Sequence, residues 1–334
     1  MSRARVLVVD DSAFARTVIT RLLAGSPQIE VLGTAHDGRE ALAQIEARDP
    51  DVITLDITMP ELDGLGVLRA LRGRSRPRVI VVSVSSIDTE LGAEALSLGA
   101  IALVAKPTAL ASERLNAIGD ELVACVLAAA HPVRAPVAPV APLSFNARAR
   151  LVMVGTSTGG PQALTALLSE LPGDLAAPVV MALHIPSGYT EALAARLDRL
   201  SQLTVVEARD GMELKAGHAV LAPGGLHLHV DSVAGVLRAR VSPLPLAPFR
   251  PSVDTLFTSG VTAVGREILG VVLTGMGDDG LVGARAIARV GGSLLTEAAE
   301  SCVVYGMPRS VFEADLGARA IPLHGMAKEI VRYV

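Results

Sequence analysis

A serine flanked by glycines opens the chemistry of this sequence: Val154-Gly155-Thr156-Ser157-Thr158-Gly159-Gly160-Pro161. The apolar run at 151–154 has the length and composition of a buried strand. Beyond the turn, Pro161 suits a first helical position, and Ala163, Leu164, Leu167 and Leu168 recur at helical spacing. Ser157 is thereby expected in a strand-to-helix turn. The unpaired N–H groups of a helix start can stabilise a negative charge there. A hydroxyl so placed is a candidate nucleophile, provided that a base takes its proton. Turns of this kind also hold phosphates or merely reverse the chain, so the remaining residues must decide.

Two further strand ends carry suitable partners. His184 closes an apolar strand predicted at 178–183, and Asp278-Asp279 follow a strongly apolar one at 268–273. In a parallel sheet such ends converge on one edge. A neutral imidazole can take the serine proton and return it to a leaving group. A buried carboxylate can fix the imidazole tautomer and stabilise its charged form. His218, His227, His229 and His324 compete with His184, which is preferred because it directly follows the Ser157 unit. Spacing alone does not separate Asp278 from Asp279, since one of them can cap the helix expected after Gly280. The Gly155-x-Ser157-x-Gly159 pattern matches the α/β-hydrolase nucleophile elbow, but that family runs Ser, acid, His. Here the order is Ser, His, Asp.

A second constellation lies nearer the N-terminus. Asp10 and Asp11 follow a predicted strand at 5–9, and Asp56 follows one at 52–55. Clustered carboxylates repel one another, and Mg²⁺, which takes a few carboxylate oxygens and keeps waters, relieves that repulsion. Lys106 and a hydroxyl from Ser83, Ser85 or Ser86 complete what a phosphoryl-accepting aspartate needs.

Stepping from residues to elements, strands at 5–9, 31–35, 52–55, 79–83 and 101–104 alternate with helical patterns at 13–23, 38–47, 64–71, 89–98 and 112–129. Five β-α units predict a doubly wound parallel sheet with its site at the carboxyl ends. Residues 131–143 carry four prolines among alanines and valines, which favours an extended spacer. The expected organisation is an α/β domain at 1–130, a linker at 131–149 and a second α/β domain at 150–334. In the latter, 211–241 reads as short β elements with tight turns, Ser252 as an N-cap and the last residues as a short helix.

Composition narrows the function. The net charge is −4 and there is no Trp, so neither a basic footprint nor aromatic platforms for nucleic acid are present. Cys125 and Cys302 make no disulfide framework or zinc cluster and suit a reducing compartment. The N-terminus is not a signal peptide and no apolar run reaches membrane-spanning length. A cytoplasmic protein without membrane insertion is expected.

The first segment resembles the receiver domain of bacterial two-component response regulators, through Val8-Val9-Asp10-Asp11-Ser12, Asp56-Ile57-Thr58-Met59-Pro60-Glu61-Leu62-Asp63-Gly64 and Lys106-Pro107. That resemblance implies a flavodoxin-like fold in which Asp56 is phosphorylated and Asp10, Asp11 and Asp56 hold Mg²⁺. Lys106 and Ser83 then contact the phosphoryl group. Leu103 stands where many receivers carry an aromatic residue.

The second segment resembles the Rossmann-like catalytic domain of the chemotaxis protein-glutamate methylesterases, the CheB family. The matching runs are Gly155-Thr156-Ser157-Thr158-Gly159-Gly160, His184-Ile185-Pro186-Ser187-Gly188-Tyr189, Ala222-Pro223-Gly224, Pro251-Ser252-Val253-Asp254-Thr255-Leu256-Phe257, Leu273-Thr274-Gly275-Met276-Gly277-Asp278-Asp279-Gly280 and Val304-Tyr305-Gly306-Met307-Pro308. By that resemblance the triad is Ser157, His184 and Asp279, with oxyanion N–H donors around Thr158 and Met276 and no cofactor for the ester reaction. The family implies demethylation, and glutamine deamidation, of methyl-accepting chemoreceptors. It also implies a CheA-type histidine kinase as phosphodonor and an unphosphorylated receiver that restrains the esterase. The alternative is a phosphorylation-gated module whose Ser157 turn holds a nucleotide phosphate; it lacks a Walker lysine.

Overall fold

The computed structural model describes residues 3–74, 76–83, 89–106, 112–130 and 148–334. The chain divides into two compact units, Met1–Pro132 and Val133–Val334. Ser85, Ser86 and Pro107 lie outside the described residues, as does the expected linker up to residue 147.

In the first unit, near-continuous apolar runs form the strands Ala4–Val9, Val52–Leu55 and Arg78–Ser83, almost wholly buried as a parallel sheet covered by helices requires. The elements are β1 (Ala4–Val9), α1 (Ala13–Ala24), β2 (Ile29–Ala35), α2 (Gly38–Arg48), β3 (Val52–Leu55), α3 (Gly64–Ala70), β4 (Arg78–Ser83), α4 (Thr89–Ser97), β5 (Ala102–Ala105) and α5 (Ser112–Ala130). The sheet order is β2-β1-β3-β4-β5, all parallel, which is the expected doubly wound arrangement. Local chemistry starts the helices: Ser12, Asp37 and Asp63 each accept an N–H from three residues on. Gly64 is needed for close approach, because a Cβ there would lie 2.3 Å from the Asp56 carbonyl oxygen.

The second unit continues with β6 (Leu151–Thr156), α6 (Gly160–Glu170), β7 (Val179–Leu183), α7 (Thr190–Leu200), β8 (Thr204–Glu207), β9 (His218–Leu221), β10 (His227–Val233) and β11 (Val236–Ser242). It closes with α8 (Val253–Val264), β12 (Ile268–Val272), α9 (Leu281–Arg289), β13 (Ser293–Glu297), α10 (Met307–Glu313), β14 (Arg319–Ile321) and α11 (Leu323–Tyr333). Seven strands form one parallel sheet in the order β14-β13-β12-β6-β7-β9-β8, and β10 and β11 form a separate antiparallel hairpin. Its turn, Ala234-Gly235, has φ of 52° and 82°, the left-handed pair that a two-residue hairpin favours.

β6 is central, pairing with β12 through Ile268↔Leu151 and Val272↔Gly155 and with β7 through Thr156↔Leu183. Met153, Leu256, Phe257, Val272 and Ile287 pack between sheet and helices in one apolar core. Before the expected C-terminal helix, the chain adds β13 and β14 to the sheet edge.

Candidate active site

The register of β6, β7 and β12 decides what meets at the carboxyl edge. Ser157 follows β6, His184 follows β7, and Asp279 lies in the loop after β12. The Ser157 N–H donates to the Thr274 carbonyl at 3.1 Å, and the His184 N–H donates to the Thr156 carbonyl at 3.1 Å. Ser157, His184 and Asp279 thus follow three adjacent strands of the sheet, β6, β7 and β12.

Thr274 ties the serine turn to the loop after β12. Its carbonyl also accepts from Thr156 Oγ1 at 2.7 Å, and its own hydroxyl donates to the Thr158 carbonyl at 2.9 Å. Gly275 must be small: a Cβ there would lie 2.3 Å from Met307 Sδ and 3.0 Å from the Ser157 Cβ. The backbone leading to Met276 therefore adjoins Ser157 on one side, while Thr158 continues from it on the other. Gly159 enters α6 at φ 81° and leaves no room for a Cβ, which would lie 2.6 Å from Val303 Cβ.

His184 Nε2 and Asp279 Oδ2 are 2.7 Å apart, and both side chains are nearly buried, at 10% and 7% exposure. The geometry separates the two acids, since Asp278 is exposed and Asp279 buried. All four acceptor positions of the Asp279 carboxylate are taken. Oδ2 receives His184 Nε2 and the Val253 N–H at 2.7 Å; Oδ1 receives Ser252 Oγ and the Asp254 N–H, each at 3.0 Å. Burial alone would push this carboxyl up. The bond and charge of His184, with the N–H groups at the start of α8, outweigh burial and hold it below the usual carboxylate range. An ionised Asp279 facing Nε2 favours the tautomer that carries its proton on Nε2. Nδ1 is then the basic nitrogen; it is buried and has no hydrogen-bond partner among the described residues.

Phe249 lies flat on the His184 ring, with centroids 4.3 Å apart and planes 12° from parallel. Two of the competing histidines hold the loop that carries it. His227 and His229 Nε2 bond the Pro245 and Leu244 carbonyls at 2.9 and 3.0 Å, and burial lowers the pKa of both rings. His218 bonds its own turn through the Ala216 carbonyl, and His324 is exposed on α11.

Phe249, the Ser252–Asp254 clamp on Asp279 and Glu297 are site features beyond those anticipated from residue type and spacing. The Glu297 carboxylate is fully buried and accepts the Thr274 N–H at 2.8 Å; burial raises its pKa. A glutamate closing an apolar strand was the available signal.

In the first unit, Asp10, Asp11 and Asp56 each offer a carboxylate oxygen within 4.8 Å of the others. Lys106 Nζ lies 2.8 Å from Asp56 Oδ2 and 2.9 Å from Asp10 Oδ2. Burial pushes both carboxyls above the usual range; Lys106 offsets part of this, and neighbouring negative charge adds to it. Hard oxygen donors under mutual repulsion are the set that fits Mg²⁺. Ser83 is buried, and its carbonyl accepts the Lys106 N–H at 2.8 Å.

Fold and site together define a class: a receiver-type α/β unit followed by a second α/β unit with a buried His–Asp pair beside a serine turn. Comparisons with known proteins make it particular. A family model described as CheB methylesterase matches residues 152–330, and one described as response regulator receiver domain matches 6–117. The protein-glutamate methylesterase/protein-glutamine glutaminase 5 of Myxococcus xanthus is 53% identical over 344 residues, covering 100% of this chain and 99% of that protein. The protein-glutamate methylesterase/protein-glutamine glutaminase of Symbiobacterium thermophilum is 43% identical, covering 99% of this chain and 97% of its own. The crystal structure of the Thermotoga maritima CheB methylesterase catalytic domain is 36% identical, with a TM-score of 0.55, covering 56% of this chain and 99% of that one. The chain belongs to the CheB methylesterase family and carries a response regulator receiver domain. Among the described residues, no helix is long and apolar enough to cross a membrane.

Proposed function

We propose that this chain is a phosphorylation-controlled protein-glutamate methylesterase, with glutaminase activity, acting on methyl-accepting chemoreceptors. The observation that carries it is the buried His184–Asp279 pair, which comes from the strands on either side of the one that leads to Ser157, with an imidazole Nδ1 that has no hydrogen-bond partner among the described residues.

Ser157 Oγ attacks the γ-ester carbonyl carbon of a receptor glutamate as its proton passes to His184 Nδ1. The oxyanion that forms is met by backbone N–H groups at Thr158 and Met276, fixed by the Thr274 links between the two loops. His184 returns the proton to the leaving methoxide and methanol departs. Water, deprotonated by the same Nδ1, then hydrolyses the acyl-serine. With a glutamine the leaving group is ammonia. Asp279 keeps the tautomer fixed and offsets the imidazolium charge; it does not itself take the proton. The ester reaction needs no cofactor in this scheme.

In the first unit Asp56 accepts the phosphoryl group from a CheA-type histidine kinase, and Lys106 and Ser83 contact it. Asp10, Asp11 and Asp56 would hold Mg²⁺, which would supply neutralising charge to a phosphoryl group on Asp56. Phosphorylation releases the restraint on the esterase.

The test is methanol release from methylated receptors, with fluorophosphonate labelling beside it. Wild type is expected to release methanol and to be labelled at Ser157, and Ser157→Ala to do neither. Unchanged release by the variant would overturn the nucleophile assignment. Absence of labelling, with tight nucleotide binding, would favour the phosphate-binding alternative.

A further inference from the structure

The starts of α8 and α9 face one another, and each is capped by a carboxylate from the other. Asp279, just before α9, accepts the Val253 and Asp254 N–H groups of α8. Asp254, in the first turn of α8, accepts the Gly280 and Gly283 N–H groups of α9 through one oxygen, Oδ1, at 2.9 and 2.8 Å. First-turn N–H groups have no partner within their own helix, so these bonds satisfy donors that would otherwise be orphaned in a partly buried place. Helix α9 has no local substitute: its N-cap is Gly280, at φ 105°, without a side-chain cap of its own. A polar side chain placed there to supply one would be strained.

We propose that Asp254 is a positioning residue for the esterase reaction, holding Asp279 in line with the His184 ring by fixing both the carboxylate and the main chain beside it. Its N–H bonds Asp279 Oδ1, and its side chain bonds the N–H of Gly280, the next residue along from Asp279. Displacement of either would swing Oδ2 away from Nε2, the one contact that keeps Nδ1 basic. The role belongs to an acceptor oxygen rather than to a charge. An asparagine side chain presents the same Oδ1 and can fill it; an alanine cannot.

The inference rests on the esterase reading of Asp279, and three measurements on the full chain test it. In wild-type protein, hydrogen exchange should find the amides of Gly280, the N-cap, and Gly283, in the first turn, protected, although neither has a partner within α9. Fast exchange at both would overturn the capping. Proton NMR should show a downfield resonance from the hydrogen on His184 Nε2, kept in Asp254→Asn and lost in Asp254→Ala; its persistence in Asp254→Ala would also overturn the proposal. In methanol release, Asp254→Ala should lose about 10²-fold in kcat with KM within twofold, the scale of a small misplacement of a catalytic group. Asp254→Asn should stay within about threefold of wild type, since one hydrogen-bond acceptor is exchanged for another. Equal losses in the two variants would refute the acceptor role. Wild-type protein that releases no methanol would refute the esterase reading instead, and exchange and NMR would still judge Asp254.

Discussion

Replacing Asp279 by asparagine perturbs the site at its most constrained point. The carboxylate accepts four donors, two on each oxygen, and an amide offers acceptor character at one position only. If the NH₂ group takes the Oδ2 position, the Val253 N–H loses its partner. His184 Nε2 must then accept, so Nδ1 carries the proton and cannot receive one from Ser157. If the NH₂ group takes the Oδ1 position, the Asp254 N–H is orphaned, and the imidazolium that forms during turnover has lost its counter-charge. A buried N–H without a partner costs about 1–3 kcal/mol. For a unit of this size that lowers Tm by roughly 2–12 °C. The wrong tautomer costs about 10⁴-fold in kcat, near 5.4 kcal/mol of barrier. The sign of the pH effect follows from the depressed pKa of Asp279. A carboxyl held low in the folded state contributes stability above its unfolded pKa and loses it as pH falls through its folded value. Acid should therefore destabilise wild type more steeply than Asp279→Asn. The assays are steady-state methanol release and urea denaturation between neutral and acidic pH. More than a tenth of wild-type kcat surviving in the variant would refute the orienting role of Asp279.

Asp56→Asn should leave methanol release at the unstimulated level when a small-molecule phosphodonor and Mg²⁺ are added, whereas wild type is stimulated. Stimulation of the variant would displace Asp56 as phosphoacceptor. Because burial raises the Asp56 carboxyl, its ionisation costs the fold stability as pH rises, so metal-free Asp56→Asn should melt no lower than wild type at neutral pH. Gly275→Ala should lower kcat at least tenfold, since its Cβ would lie 3.1 Å from the Ser157 nitrogen and 2.3 Å from Met307 Sδ. Near wild-type turnover would show that the loop yields without moving Ser157.

Sequence patterning carries far in this chain where a residue's place depends on its own strand. Ser157, His184 and Asp56 each directly follow an apolar run that is wholly buried in the fold, so both placement and chemistry could be read locally. Asp278 and Asp279 could not be separated that way. The difference is made by donors 25 to 27 residues earlier, at Ser252, Val253 and Asp254, which no local period reports. Ser252 was legible as a helix cap, but not as a hydroxyl donor to the acid. Phe249 lies in a proline-rich loop without periodicity, and its stack on His184 depends on carbonyls held by His227 and His229. The outer strands were missed for related reasons. β14 is three residues long, too short for a pattern, and β13 ends in Thr296 and Glu297, polar side chains that are fully buried.

The central pairing of β6 with β12 also orders events in time. Thr156 and Thr274 meet across 118 residues of chain, whereas the β6–β7 pair that brings His184 beside the serine turn closes over a far shorter loop. Loop closure and high contact order make the longer pairing the slower one, and vectorial synthesis delivers β12 after β6 and β7. If Ser157, His184 and Asp279 act as proposed, a nascent chain would hold serine and histidine before the aspartate reaches the imidazole. On that reading its hydroxyl would stay an ordinary alcohol until β12 joins the sheet, and hydrolytic competence would be a late gain of folding.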